Sequence, residues 1–222
     1  AGGSSGGNSG SGGNSSTASK EITGAEVVTL DMPYGTSKEE ALAAIPTTVT
    51  LKLKGGSTTT TTVTNWKWGT NTAYTPKPSQ PDSTPAVATV TIPSGYTYSG
   101  TLIATASVTV HPLDKKAFDD ALKAAKDMFD NTVDDEKIAA TDKTKILIID
   151  NKTPADITEG VQFTTSAAKN TLETAISNAK DAENTGFASQ SKCNDAAKAL
   201  QAAITAFKGT IKIGTNKATD AY

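Results

Sequence analysis

At His111-Pro112-Leu113-Asp114 the chain changes its hydrophobic period, and that change limits its folding more than any other feature. Upstream the sequence is Thr-rich and sets apolar residues at every second position, as a half-buried strand requires. Downstream it is rich in Ala, Lys and Asp, with apolar residues every three or four positions, as one face of a helix requires. One core cannot be built from both patterns run end to end, so two successive folded regions are expected within 222 residues.

Before the switch, strands are expected over 26–31, 47–54, 59–68, 86–92 and 101–110. Leu51 and Leu53 alternate with Lys52 and Lys54 to give one dry and one wet face, and Gly55-Gly56 marks a hairpin. Ser37 and Glu40 have capping-box spacing and Pro46 closes the segment, which predicts a short helix crossing between strands. After the switch, Asp114 is placed to cap a helix over 114–131, with Phe118, Leu122, Ala125 and Phe129 on one stripe. Further helices are expected over 166–184, carrying Leu172 and Ile176, and over 189–208, carrying Cys193, Leu200, Ile204 and Phe207. The connection 132–165 is too long for a bare loop. Its Ile138 and its run Ile146-Leu147-Ile148-Ile149 are expected to pack as a short helix or an extended segment over one end of the helices. Residues 211–222 read as a frayed end or the start of a lost linker.

The first nineteen residues hold seven Gly and seven Ser and no aliphatic side chain larger than Ala, so they cannot offset the entropy of ordering. As a random coil they would span roughly 25 Å, the dimension of a tether, with an expression-vector linker as the alternative. The sequence starts at Ala without a basic and apolar leader, which suggests a processed form.

Composition excludes several chemistries. Net charge is −2, and all 21 basic residues are Lys. Without the guanidinium fork that reads bases and phosphates, no nucleic-acid partner is expected. A single cysteine, Cys193, rules out an internal disulfide and a Cys-rich zinc site. A single histidine, His111, leaves imidazole-based catalysis without parts; no catalytic residue, metal ligand or cofactor is expected. No apolar run approaches the roughly 20 residues of a membrane span, so a soluble chain is expected.

Two stretches carry family resemblances. MPYGTSKEEALAAIPTTVTLKLKGGSTTTTTVTNWKW followed by IPSGYTYSGTLIATASVTV resembles a bacterial Ig-like module. Gly35-Thr36, Glu39-Glu40-Ala41-Leu42, Pro46, Val49-Thr50-Leu51, Trp66 or Trp68, and Val108 with Val110 fall in that family's order; the Pro-rich 74–85 is an insertion relative to it. The helical half resembles a FIVAR module of bacterial surface proteins, through Ala121-Leu122 and Ala125, Ala167-Ala168, Leu172, Ala175-Ile176 and Ala179, and Ala196-Ala197, Leu200, Ala203-Ile204 and Phe207. The N-terminal tail is similar to the segment that follows the lipidated cysteine of bacterial lipoproteins. These resemblances imply a multi-domain chain, all-β plus all-α, in which an Ig-like β-sandwich (25–111) follows a disordered Gly/Ser-rich tether (1–24) and precedes a FIVAR-like three-helix bundle (112–212) and a tail (213–222). They imply a non-catalytic, extracellular protein of the bacterial cell surface, active in adhesion, display or spacing. Its partners would be a host matrix protein or a surface glycan, its only tie to a membrane a lipid anchor outside this sequence, and its state a monomer. The alternative is a glycan-binding accessory region of a secreted carbohydrate-active enzyme.

The candidate ligand-binding residues are Trp66 and Trp68, two apart on an expected strand and so on one face, with Tyr74; Tyr96 and Tyr98 could assist. Such rings form a platform for sugars, or they fill a core. Cys193 lies on an apolar stripe, where a thiol acts as a small hydrophobe. The acidic groups Asp119-Asp120, Asp127, Asp130 and Asp134-Asp135-Glu136 read as a solvated helix face rather than a calcium loop.

Overall fold

The computed structural model describes residues 18–217. Most of the expected tether and the last five residues of the expected tail lie outside the described residues. The chain divides into two compact units. The first takes in the residues up to Met32, Ser37–Thr75 and Ser83–Thr109; the second takes in Pro33–Thr36, Pro76–Asp82 and Val110 onward.

In the first unit, β1 (Ile22–Ala25), β3 (Thr48–Leu53) and β4 (Thr58–Thr62) form an antiparallel sheet in the order β1-β3-β4. A second sheet has the order β2-β7-β6-β5, from β2 (Val28–Met32), β5 (Lys67–Trp68), β6 (Asp82–Thr89) and β7 (Ile103–Val110). The expected period of two is met on β3, where Val49, Leu51 and Leu53 are buried between exposed Thr48 and Lys52. These side chains pack with Ile22 and Val63 against Ala88 and Ala104 of the other sheet and against Val90 and Leu102, which flank its strands. Gly55 and Gly56, at φ +95° and +91°, make the β3–β4 turn, a conformation open to residues without a Cβ. Between β2 and β3 lies α1 (Lys38–Ala43), which opens with the full capping box of Ser37 and Glu40. Its Ala41, with Ile45 just beyond it, packs against Ala86, Ala106 and Val108.

In the second unit, α2 (Lys116–Asp130), α4 (Ser166–Thr185) and α5 (Gln190–Thr210) share a core of Phe118, Ala125, Leu172, Ile176, Leu200 and Phe207. Phe187 meets Phe118 edge-to-face at 5.0 Å. Between α2 and α4 the chain makes β8 (Thr132–Val133), α3 (Glu136–Thr141), β9 (Ile146–Ile148), a 3-10 turn at Pro154–Asp156, and β10 (Gln162–Thr164). With β11 (Lys212–Ile213) these strands make a sheet ordered β11-β10-β9-β8. β8 and β10 run parallel to β9, and β11 is antiparallel to β10. Its strands are covered on both sides. Ile146 joins the helical core, while Leu147 and Phe163 join a separate cluster with Ala139, Ile157 and Val161.

The expected fold class is therefore corrected. Among the described residues the chain is mixed α/β, with eleven strands in three small sheets and five helices, rather than an Ig-like β-sandwich followed by a three-helix bundle. Two physical causes account for the difference. The helix α1 belongs to the core of the first unit. In the second, the three buried Ile146-Leu147-Ile148 backbones need hydrogen-bond partners, and a sheet supplies them. That sheet also recruits Lys212–Ile213, and backbone bonds continue through Asn216, so this part of the segment expected to fray is fastened. Ile138, expected to be buried, is 49% exposed, because α3 turns Ala139 inward instead. No helix of the described residues is long and apolar enough to cross a membrane.

Candidate functional site

The capping box sets the site's first wall. Glu40 donates its backbone N–H to Ser37 Oγ at 3.2 Å, and its Oε2 accepts the Ser37 N–H at 2.9 Å. That backbone bond, then the hydroxyl, hold the Glu40 carboxyl below its ordinary range. Glu40 is thus committed to the helix, and its neighbour Glu39 is left exposed.

The second wall is Trp66, just before β5. Its ring is half-buried and touches both clusters of the first unit, and its indole N–H donates to the Pro46 carbonyl at 3.1 Å. Between the walls lies a hollow of about 330 Å³ lined by Glu39, Leu42, Ala43, Ile45, Thr47, Thr64 and Trp66. Its lining combines apolar Leu42, Ala43 and Ile45 with the carboxylate of Glu39 and the hydroxyls of the exposed Thr47 and Thr64. An apolar ring face with hydroxyl and carboxylate partners matches the two-sided chemistry of a sugar.

Of the three candidate residues, Trp68 and Tyr74 come together, their ring centroids 5.3 Å apart and tilted by 41°. Both lie against the α1 cluster, as Trp66 does, and all three are half-buried. Tyr96 and Tyr98 pack on the cluster of Val49 and Leu51 instead. The hollow thus retains Trp66 of the expected set and adds Glu39, Leu42, Thr47 and Thr64, which no sequence signal marked as ligand-binding. Their link to Trp66 runs through Pro46, twenty residues earlier, and contacts over such separations leave no periodic trace.

Cys193 is 1% exposed, and burial pushes its thiol up from the ordinary value. His111 is exposed. Asp120 and Asp127 pair with Lys116 and Lys123 one turn away, at 2.6 and 2.5 Å, on an exposed face of α2. Among the described residues no group of three or more His, Cys, Asp or Glu side chains is arranged to hold a metal ion. A larger hollow of about 580 Å³, over Asp127, Asp130, Asn131 and Lys145, has no aromatic wall.

No protein-family model, no curated protein and no solved structure matches this chain.

Proposed function

We propose that the chain is a non-catalytic module of a bacterial cell surface, serving adhesion, display or spacing. The observation that supports this reading best is how the two ends of the described chain are fastened. At the first, Ile22 donates its N–H to Thr97 O at 2.8 Å, Thr97 donates to Lys20 O at 3.0 Å, and Lys54 donates to Glu21 O at 2.8 Å, with a Lys54–Glu21 ion pair at 2.9 Å beside them. At the second, Gly214 donates to Val161 O, Thr215 to Pro154 O and Asn216 to Ile157 O, at 2.8, 2.7 and 2.9 Å. A pull on either end meets several backbone bonds at once, which suits an element held in line between an anchor and its surroundings. The low net charge and the all-Lys basic set agree with a module that needs no phosphate or nucleic-acid contact.

A second reading, a glycan-binding region attached to a secreted carbohydrate-active enzyme, is favoured by the hollow beside Trp66. One experiment addresses both: a glycan array and a matrix-protein panel run in parallel on the full chain, with Trp66→Ala and Trp68→Ala variants. Saturable binding to a matrix protein assigns adhesion, and silence on both panels assigns spacing or display. Sugar binding lost in a folded Trp66→Ala variant moves the assignment to the second reading. Turnover of any panel member overturns the non-catalytic reading.

A further inference from the structure

The strand β4 is Thr-Thr-Thr-Thr-Thr, and it ends its sheet. Its register with β3 is unbroken, from Thr48 opposite Thr62 to Lys52 opposite Thr58. The flanking bonds show which residues spend their backbone groups on β3: Leu53 donates to Ser57 O at 2.8 Å, and Val63 donates to Thr47 O at 2.7 Å. Antiparallel pairing alternates, so Thr59 and Thr61 point their N–H and C=O groups at β3, while Thr58, Thr60 and Thr62 point theirs away from it. All three of the latter are exposed.

The opposite edge of the same sheet is handled differently. There β1 carries an irregularity between Ile22 and Gly24, and Thr97 covers it through bonds to Ile22 and Lys20. Proteins protect open edges with Lys, Pro, bulges or a covering segment. β1 has two of these devices, and β4 has none.

We propose that β4 is a pairing edge for a second copy of this chain, joined antiparallel about a two-fold axis at Thr60. In that register Thr60 meets Thr60 of the other copy and Thr58 meets Thr62, and each of these pairs exchanges both backbone bonds, six in all. A two-fold axis sets every charged residue of a strand against a matching charge, and β4 carries no charge to be repelled. Every facing pair is Thr with Thr, a favourable cross-strand match. A foreign peptide would find no side-chain pocket in a uniform Thr row to select it, whereas self-pairing needs none. Because Thr97 closes the β1 edge, pairing stops at two copies instead of propagating into a fibre. The interface is narrow, so the chain is a monomer when dilute and pairs when concentrated, as on a crowded surface. This goes beyond the proposed function and does not depend on it.

The test is sedimentation velocity on the full chain over a concentration series, with Thr60→Lys, Thr60→Pro and a control, Thr29→Lys, on an exposed position of β2. The wild type and the control are expected to approach twice the monomer mass on concentration. Thr60→Lys, which sets two like charges against each other across the axis, and Thr60→Pro, which removes an outward donor, should stay monomeric with an unchanged melting curve. Thr60→Cys supplies a readout that does not rely on loss, forming an intermolecular disulfide at least about tenfold faster than Thr29→Cys. A wild type that stays monomeric to its solubility limit, or Thr60 variants that associate as the wild type does, would overturn the proposal.

Discussion

Gln190 and Asp114 clasp each other at two points. Gln190 Oε1 accepts the Asp114 backbone N–H at 2.8 Å, and its Nε2 donates to the Asp114 carbonyl, also at 2.8 Å. The side-chain amide thereby imitates a paired strand and ties the start of α5 to Asp114, two residues before α2. The same Nε2 donates to Asn194 Oδ1 at 2.9 Å.

Exchanging that amide for a carboxylate removes the donor while nearly keeping the shape. Gln190→Glu should therefore cost about 1–2 kcal/mol of stability, from two lost bonds and an acceptor left facing a carbonyl. Urea unfolding followed by circular dichroism measures it, and an unchanged midpoint would show the clasp to be idle.

Two glycines near the C-terminal end of the described chain should respond in opposite directions. A Cβ on Gly214 would stand 2.3 Å from Thr158 O and 2.6 Å from Ile157 O, both backbone atoms, so Gly214→Ala should lose about 1–3 kcal/mol. Gly209 is within α5 with nothing inside 4 Å of a Cβ, so Gly209→Ala should gain about 0.5–1 kcal/mol from helix propensity. Thermal melts of the two variants check the pair of signs.

The Cys193 thiol is enclosed on the apolar side of α5 and lies 3.7 Å from the Asp114 carbonyl. Burial raises its pKa in the folded state, so the folded chain holds this proton more tightly than the unfolded one. Its contribution to stability is complete below the free thiol's value of about 8.5 and declines as the pH rises past it. Alkylation by iodoacetamide at mildly alkaline pH should be slow in the native chain and fast in urea. Equal rates would contradict the burial.

Three carboxylates act at the acidic end. Asp156 Oδ2 accepts both the N–H and the hydroxyl of Thr153, at 2.8 and 2.7 Å; Asp150 accepts from Ser166, and Asp142 from the hydroxyl and N–H of Thr144. These bonds hold all three below the usual carboxylate range. The stability they give is present above the unfolded value near about 3.9 and is lost as the pH falls through the lowered folded values. Asp156→Asn should flatten the fall in urea midpoint between about pH 7 and about pH 3. A variant as acid-sensitive as the wild type would rule Asp156 out as a contributor.

Features written in adjacent residues were legible before the fold was known. The Ser37–Glu40 box, the Gly55-Gly56 turn and the apolar stripes of α2, α4 and α5 all depend on local spacing, and each stands where that spacing put it. The sheet of β8 to β11 was not legible. Its strands are two or three residues long, and the run Ile146–Ile149 shows no alternation, because a parallel strand with cover on both faces has no polar side to display. Without it, the second half reads as purely helical. The hollow beside Trp66 was half legible: the ring could be singled out, but α1 and the Pro46 carbonyl reach it only through the folded chain.

Protease and antibody access on intact cells of the source organism is the most direct check on a surface location. A surface module predicts that an antibody against the folded chain labels unpermeabilised cells, and that external protease removes the label while a cytoplasmic marker survives. Labelling that appears only after permeabilisation would place the chain inside the cell and rule out a surface module.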